Sequence, residues 1–322
     1  MKVLFHSIGK KRKIARANDG YKWEWKADYQ LDSLFHGLVS VLGDDLIDTP
    51  EFDHMYKENL HLLHADNPNR FSLFGKIDNR EVDRSDIIKK ASSGYFDYVI
   101  LGLHHADEIT DKDLEEIESF KDTKLVMIHG GDDSYYNDKL LNYGPLFKRE
   151  LDESLSDKLR PISFSIPKEL IVDSVSDKSR FFGTVVPSLW RDTDTELSDT
   201  YIFNNEKDYL NDYKDSLFGL TWAKGGWDCL RHYEIMASGC VPYFMGLEEC
   251  PLHTLMWIPK ELLLNVLNTP HVDPYTMHVD IENFDLSLYS KVARECLEHT
   301  KKYLSTESMA KYVLETIGKI YT

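Results

Sequence analysis

The sequence predicts an α/β protein with two domains, each built around a parallel sheet. Three observations support this prediction. Short apolar segments alternate with segments of helical periodicity through the first half of the chain. A strand–loop–helix–strand unit follows in the second half, from Leu217 to Phe244. The length of 322 residues fits two domains of about 150 residues, each large enough to bury its own core.

We place the domain boundary in the polar stretch Asp152–Lys158, which separates two more apolar segments. The N-terminal domain would then span residues 1–155 and the C-terminal domain residues 156–322. The tail from Leu286 to Tyr321 has the periodicity of two helices, interrupted near Ser305. We expect these C-terminal helices to pack back toward the N-terminal domain.

The composition is that of a globular protein from a reducing compartment. Hydrophobic residues make up 42% of the chain and charged residues 29%, and no segment approaches the ~20 apolar residues that span a bilayer. The apolar run at the N-terminus is too short for a signal peptide, so we expect a cytoplasmic protein. The four cysteines lack C-x-x-C spacing, which indicates reduced thiols rather than disulfides or a zinc site.

The chain begins with a predicted crossover unit. Lys2–Ser7 is a short, largely apolar strand. Asp28–Leu42 carries apolar residues at helical spacing and is closed by Gly43. Asp44–Pro50 is a second short strand, ended by its proline. This order predicts two parallel strands joined by a right-handed helical crossover.

A basic loop, Gly9–Gly20, follows the first strand. Its basic residues are Lys10, Lys11, Arg12, Lys13 and Arg16. Loops beyond the carboxyl ends of parallel strands face the ligand crevice, so this loop is a candidate for contact with a phosphate or an acceptor. The alternative interpretation is a solvated loop. The formal charge of −17 opposes long-range attraction to nucleic acid, although a local basic patch can override it.

Two further helix–strand units are predicted in the first half. They comprise a helix at Ser85–Ser92, a strand at Asp97–Gly102, a helix at Asp111–Phe120 and a strand at Lys124–Ile128. The segment that leaves the first of these strands contains His104 and His105. Adjacent side chains on an extended chain point apart, so at most one of them faces the crevice. We take His104 as a candidate catalytic base.

The last of these strands runs into a glycine turn with two carboxylates, His129-Gly130-Gly131-Asp132-Asp133. Asp132 and Asp133 are candidates for orienting the hydroxyls of a ligand, for supplying a base or for binding a metal. The alternative is an Asx-type turn that caps the next helix. The pair lacks an Asp-x-Asp spacing, and we expect no metal.

The second half is organised around one strand–loop–helix–strand unit. A strand at Lys178–Val186 and a helix at Glu206–Tyr213 precede it. Its strand, Leu217–Thr221, is followed by the turn Lys224-Gly225-Gly226, and Asp228 has the properties of a helix N-cap. Gly239 ends the helix before the strand Val241–Phe244. A glycine turn that opens a helix directs free N–H groups at a ligand, so Lys224, Gly225 and Gly226 are candidate phosphate ligands.

Arg231 and Glu234 lie one turn apart on the predicted helix, on the face that also carries Trp227 and Ser238. A guanidinium suits phosphate oxygens, and a carboxylate suits the hydroxyls of a ribose. The alternative is an ordinary surface ion pair on an amphipathic helix. The residues by themselves do not decide between these two interpretations.

The segment Arg231-His232-Tyr233-Glu234-Ile235-Met236-Ala237-Ser238-Gly239-Cys240-Val241-Pro242 resembles the donor-binding signature of GT-B glycosyltransferases, in particular the exostosin-like and glycosyltransferase-4-like groups. The chain as a whole is similar to a group of microbial and viral glycosyltransferase-like proteins, through the patterns around Leu31–Tyr56, Gly94–Gly102, Ile128–Asp133 and Phe147–Pro167. The resemblance implies the GT-B fold, two Rossmann-like domains with parallel sheets that face an interdomain cleft. It also implies that a basic residue after the first strand of the second domain meets the donor phosphate. Arg191 matches that position, with Arg180 as the second choice.

The expected function is transfer of a sugar from a nucleoside-diphosphate sugar to a glycan or another hydroxyl acceptor, without a metal or a resident cofactor. The donor residues would be Arg191, Lys224, Gly225, Gly226, Arg231 and Glu234. Asp132, Asp133 and His104 are the candidates for the base that an inverting reaction needs, whereas a retaining reaction needs none. Two alternatives stay open: a viral-type transferase that acts on a modified base in DNA, and a non-catalytic nucleotide-sugar-binding protein.

Overall fold

The part of the chain that the computed structural model describes contains two parallel sheets, two antiparallel hairpins and eight α-helices. The described residues are 1–8, 28–60, 71–103, 109–152, 155–185 and 202–321, together with the backbone of residues 14–17 and 20–23. The architecture is Rossmann-like α/β, as predicted, with helices on both faces of the larger sheet. Of the residues singled out from the sequence, Lys10–Lys13, His104, His105 and Arg191 lie outside the described residues.

The strands, in chain order, are β1 (Val3–Ile8), β2 (Ile14–Ala17), β3 (Gly20–Trp23), β4 (Leu46–Thr49), β5 (Tyr98–Leu103), β6 (Leu125–His129), β7 (Leu146–Lys148), β8 (Leu159–Pro161), β9 (Arg180–Phe182), β10 (Ser216–Thr221), β11 (Val241–Phe244), β12 (Val272–Asp273) and β13 (His278–Val279). The helices are α1 (Tyr29–Leu42), α2 (Ile87–Ser92), α3 (Asp111–Glu118), α4 (Glu206–Lys214), α5 (Leu230–Ala237), α6 (Lys260–Leu267), α7 (Leu286–His299) and α8 (Thr306–Ile320). One π-helical turn, Thr300–Leu304, links α7 to α8.

The first sheet contains six parallel strands in the order β4-β1-β5-β6-β7-β8. The chain first runs outward from β1 to β4 and then returns to continue from β5, so the strand order reverses between β1 and β5. Ligands of open α/β sheets bind beyond the carboxyl ends of the strands at such a reversal. Ile8 and Leu103 are paired at this point of the sheet.

Residues of β1 alternate between the two faces of this sheet. Val3 and Phe5 pack in one apolar cluster with α1 and α8, whereas Leu4 packs in another cluster with Ile117 and Phe120 beside α3. Both faces are therefore covered, which explains why the strands read as continuous apolar runs. Helix α1 begins where the sequence predicts, because the Asp28 carboxylate accepts hydrogen bonds from the N–H groups of Gln30 and Leu31.

The second sheet contains three parallel strands in the order β11-β10-β9. The predicted unit of the second half is present in it as β10, α5 and β11. Gly239 follows α5 with a φ of 67°, a left-handed conformation that glycine adopts without strain. Strand β9 is shorter than the predicted Lys178–Val186. A small antiparallel hairpin, β12 and β13, is paired beside this sheet.

One apolar cluster extends through both halves of the chain. It joins Phe5 and Leu34 of the first half to Tyr233 and Met236 of α5 and Val313 of α8. Helix α8 packs directly on α1, where His36 Nδ1 and Thr306 Oγ1 lie 2.8 Å apart. The two sheets therefore share a core where they meet.

The structure bears on two expectations for the first half, the loop Gly9–Gly20 and the domain boundary at residue 155. The predicted loop Gly9–Gly20 contains strand β2, which pairs antiparallel with β3. The predicted boundary at residue 155 falls between β7 and β8, which are neighbours in one sheet. The division into two domains stays a prediction.

The α1–α8 contact yields a test of the shared core. A β-carbon added to Gly37 would overlap the carbonyl oxygen of Thr306 and lie 2.5 Å from its carbonyl carbon. We expect Gly37→Ala to lower the free energy of unfolding by about 1–3 kcal/mol, because neither helix backbone can yield without moving the other. Urea denaturation measures this change.

Gly318→Ala on α8 is the matched control. A β-carbon at Gly318 meets no atom within 4 Å, so the exchange should raise stability by roughly the difference in helix propensity, about 1 kcal/mol. Equal stability of Gly37→Ala and the wild type would contradict the close packing of α1 on α8.

Candidate functional site

Two glycine loops, one from each sheet, meet at the carboxyl ends of their strands. The first loop, Gly130–Asp133, follows β6, and the second, Trp222–Asp228, follows β10. A β-carbon added to Gly225 would lie 2.5 Å from Asp132 Oδ2, and one added to Gly226 would overlap Glu150 Oε1. The two loops therefore touch, and the absence of side chains at both glycines makes this approach possible.

Arg149, which follows β7, holds these loops together. Its side chain is 1% exposed. Nε donates to the Gly130 carbonyl oxygen at 3.0 Å, Nη2 donates to the Asp132 carboxylate, and Nη1 donates both to Glu150 Oε1 at 2.8 Å and to the Asp228 carbonyl oxygen at 2.5 Å. The guanidinium also lies 4.5 Å from the ring centroid of Phe164. One cation thus contacts the main chains of both loops. Residues Asp132, Arg149, Glu150 and Asp228 are called the arginine cluster below.

The Lys148 side chain binds the main chain of the first loop. Its buried ammonium donates to the carbonyl oxygen of Gly131 at 3.0 Å and to that of Asp133. Burial, together with the neighbouring Arg149 charge, lowers the pKa of Lys148 to about 8. Burial and the nearby Lys148 also lower the pKa of His129 to about 4, so His129 is neutral and its Nδ1 accepts from the Gly131 N–H at 3.2 Å.

Asp228 does not have the predicted role of helix N-cap. The N-cap of α5 is Cys229, without a side-chain hydrogen bond. The Asp228 carboxylate instead accepts from the Phe164 N–H at 2.9 Å, and its own N–H donates to Glu150 Oε1 at 2.9 Å. The Asp228 carboxylate therefore accepts a hydrogen bond from a distant part of the chain instead of capping α5. Burial raises the pKa of Asp228 to about 7, against the opposing effect of Arg149.

Asp132 and Asp133 serve different purposes. The Asp132 side chain is 54% exposed and paired with Arg149, so it faces the open side of the junction. Asp133 Oδ1 accepts from the Tyr135 N–H at 3.1 Å, which is the Asx-type turn foreseen as the alternative. Of the two, only Asp132 lies at the contact with the second loop. His104 lies outside the described residues.

Arg231 and Glu234 are buried, at 5% and 6% exposure. The interpretation as a surface ion pair is therefore wrong, because both side chains are buried. Arg231 Nη1 is buried and has no hydrogen-bond partner within the described part of the chain. Burial opposes the charged form of Arg231, but nearby Cys229, Tyr213, Tyr209 and Glu234 outweigh it and raise its pKa, so Arg231 stays a cation.

Glu234 contacts both halves of the chain. Oε1 accepts from the Ser72 hydroxyl, and Oε2 accepts from the Tyr209 hydroxyl at 2.5 Å. Burial raises the pKa of Glu234, while these two hydroxyls and Arg231 act in the opposite direction. We call Ser72, Tyr209, Arg231 and Glu234 the glutamate cluster. It lies at the contact between α5, α4 and the segment that precedes α2.

The remaining predicted donor residues are placed as follows. Lys224 is exposed, and its N–H donates to the Gly226 carbonyl oxygen at 2.9 Å within the second loop. Arg180, the second choice for phosphate contact, pairs with Asp212 at 2.5 Å and lies 3.9 Å from Asp215. Its charge is thus already matched by carboxylates. The described residues contain no group of three or more His, Cys, Asp or Glu side chains arranged to hold a metal ion.

Sequence reasoning missed Lys148, Arg149, Glu150, Ser72 and Tyr209. A signal was available for the first three, because they lie at or just beyond the carboxyl end of β7, and charged residues at that end of a parallel strand face the ligand side. Ser72 and Tyr209 carry no such signal.

Comparison with known proteins adds no family assignment. Neither a scan against protein-family models nor a search of curated proteins found a match for the chain. Within the residues that the structure describes, no helix combines the length and the apolar composition needed to cross a bilayer.

The buried carboxyl of Asp228 makes stability depend on pH. Its pKa is about 7 in the folded protein and near 3.8 in the unfolded chain, so the folded state binds the proton more tightly. Folding therefore takes up a proton between these values, and raising the pH across this window lowers the free energy of unfolding. Asp228→Asn keeps an acceptor for Phe164 but does not titrate.

Urea denaturation of both proteins from pH 4 to pH 8 measures the effect. We expect the stability of the wild type relative to Asp228→Asn to fall with rising pH, with most of the fall below about pH 7. A difference that is constant over this range would show that Asp228 is already ionised at low pH.

Proposed function

We propose that the protein is a glycosyltransferase of GT-B type, which moves a sugar from a nucleoside-diphosphate sugar to a hydroxyl acceptor. The observation that carries the proposal is the meeting of two glycine loops, each beyond the carboxyl end of a parallel strand. Arg231 adds to it, because this residue of α5, the helix that follows the second loop, has a buried Nη1 without a hydrogen-bond partner among the described residues. Parallel α/β sheets bind ligands at these strand ends. A donor of this class needs positive charge at its diphosphate, and the Arg231 guanidinium would provide it.

On the donor side, the second loop and α5 supply the contacts. Arg231 and the exposed Lys224 would neutralise the diphosphate, with the Gly225-Gly226 turn as a close backbone surface. Arg191 stays a proposed phosphate ligand from the resemblance. Glu234 would accept hydrogen bonds from the ribose. Because negative charge develops on the leaving diphosphate, stabilisation by these cations would lower the barrier.

On the acceptor side, Asp132 is the described carboxylate best placed to act. It is exposed, it touches the donor loop at Gly225, and Arg149 holds it in place. In an inverting reaction Asp132 would take the proton of the acceptor hydroxyl. Asp133, whose carboxylate is used in its own turn, would orient the loop. The two carboxylates would repel a polyanion, which favours a glycan over DNA as the acceptor.

The test combines binding and turnover. Thermal shift against a panel of nucleotide sugars identifies donors that raise the melting temperature, because such ligands bind only the folded state. Release of nucleoside diphosphate from the best donor then measures transfer or hydrolysis. Binding without release over a broad set of acceptors would favour the non-catalytic alternative, and the absence of any shift would remove the proposal.

Arg231→Met tests the assigned phosphate contact while it keeps the volume of the side chain. We expect nucleoside-diphosphate affinity to fall about 10- to 100-fold, because a charge-assisted hydrogen bond to the diphosphate is lost. Isothermal calorimetry measures the change. Arg294→Met, at an exposed site on α7, is the control and should bind as the wild type does. Unchanged affinity in Arg231→Met would contradict the role of Arg231.

Treatment with EDTA tests the chemistry. Because Arg231, Lys224 and backbone N–H groups would supply the positive field at the diphosphate, we expect nucleoside-diphosphate release to continue at an unchanged rate after chelation. A rate that is abolished by EDTA and restored by Mn²⁺ or Mg²⁺ would point instead to a metal held by the carboxylates of the first loop.

A further inference from the structure

Ser72 is held in an unusual position for a serine. It lies between β4 and α2, is completely buried, and has a left-handed backbone with a φ of 70°. Non-glycine residues rarely adopt this conformation, and surrounding contacts must maintain it. The neighbours Leu73 and Phe74 are buried in the shared apolar cluster, so the backbone of this segment is fixed.

Two glutamates of the second half maintain that position. The Ser72 N–H donates to Glu206 Oε1 at 2.6 Å, and Lys76 pairs with the other oxygen of Glu206 at 2.5 Å. The Ser72 hydroxyl donates to Glu234 Oε1. The contact to Glu206 fixes the backbone of Ser72, and this directs its hydroxyl at Glu234.

The carboxylate of Glu234 thus carries two hydroxyl donors, one on each oxygen. Tyr209 supplies the second, at 2.5 Å from Oε2. The vicinal 2′- and 3′-hydroxyls of a ribose can donate to the two oxygens of one carboxylate. The hydroxyls of Ser72 and Tyr209 occupy the Glu234 carboxylate in the same way. Glu234 is 6% exposed, so a ligand hydroxyl has little room at the carboxylate beside the two protein hydroxyls.

We propose that the Ser72 hydroxyl is an internal competitor for the ribose of the nucleotide, and that it lowers affinity at the site it contacts. This inference rests on the proposed function, because it assigns the ribose position to Glu234. In the complex, a ribose hydroxyl replaces Ser72 on Oε1, and the Ser72 hydroxyl rotates away about its Cα–Cβ bond while the backbone stays in place.

Tyr209 is not displaced in the same way. Its ring packs between Phe71, Phe203 and Tyr213, with centroid distances of 5.5, 6.1 and 5.3 Å. Moving its hydroxyl requires this aromatic group to move, whereas moving that of Ser72 requires one side-chain rotation. Tyr209 therefore stays on Oε2 and keeps the carboxylate oriented for the incoming ribose.

The experiment compares Ser72→Ala with the wild type by calorimetry, with UDP, GDP, ADP and CDP as probes and inorganic pyrophosphate as the probe without ribose. Removing the competitor leaves a buried carboxylate oxygen without a donor, which the nucleotide then satisfies. We expect the affinity for the preferred nucleotide to rise about 3- to 10-fold, as one exchanged hydrogen bond predicts, and the affinity for pyrophosphate to stay unchanged.

Tyr209→Phe is the matched control, since it removes the other hydroxyl from the same carboxylate. It should not bind nucleotide more tightly than the wild type. Ser72→Gly provides a second variant without the hydroxyl, and glycine accepts the left-handed backbone without strain, so its fold is protected. Both Ser72 variants should show the same rise in affinity.

The outcomes separate this inference from the proposed function. If the wild type and all variants bind no nucleotide, the proposed function fails, and the inference fails with it. If the wild type binds nucleotide but both Ser72 variants bind it equally well or more weakly, Ser72 is not a competitor, and the inference alone is overturned. A rise that also appears with pyrophosphate or in Tyr209→Phe would likewise overturn it, because the effect would not come from the ribose.

Discussion

The hydrogen bonds of the Arg149 guanidinium fix the relative position of the two loops that form the candidate site. Two of its acceptors are main-chain carbonyls, Gly130 in the first loop and Asp228 in the second. Neither loop has regular secondary structure at this point, so no ladder of backbone hydrogen bonds could align them instead. The planar fork of an arginine holds its five N–H donors in fixed directions, whereas the ammonium of a lysine is a compact charge on a flexible stem. The geometry of the junction follows from this one side chain.

Burying such a cation is costly unless its partners are complete. Here Glu150, Asp228 and the ring of Phe164 surround the guanidinium, and the half-exposed Asp132 completes its contacts. The same arrangement explains the electrostatics of the site. Burial raises the pKa of Glu150 and of Asp228, and Arg149 limits that rise. The contacts of Arg149 therefore both align the loops and limit the pKa values of the carboxyl groups beside them. A substitution of Arg149 would alter both properties.

The sequence predicted those features that depend on local patterns. Strands β1, β5, β6, β10 and β11 and helix α1 lie within one or two residues of the predicted bounds, because apolar periodicity and capping residues act over short distances. The features it missed join distant residues. Arg149 lies 79 residues from Asp228, and Ser72 lies 162 residues from Glu234. The N-cap expected at Asp228 was wrong for the same reason, since its acceptor is used by Phe164, 64 residues away.

The apolar cluster common to both sheets has a consequence for folding. Tyr233 and Met236 of α5 lie in the same cluster as Phe5 and Leu34, and α8 covers α1. If either sheet came apart first, it would leave large apolar side chains of the other in water, which is unfavourable in proportion to the exposed area. Intermediates with only one sheet formed are thus disfavoured. We therefore expect the two sheets to unfold together as one cooperative unit.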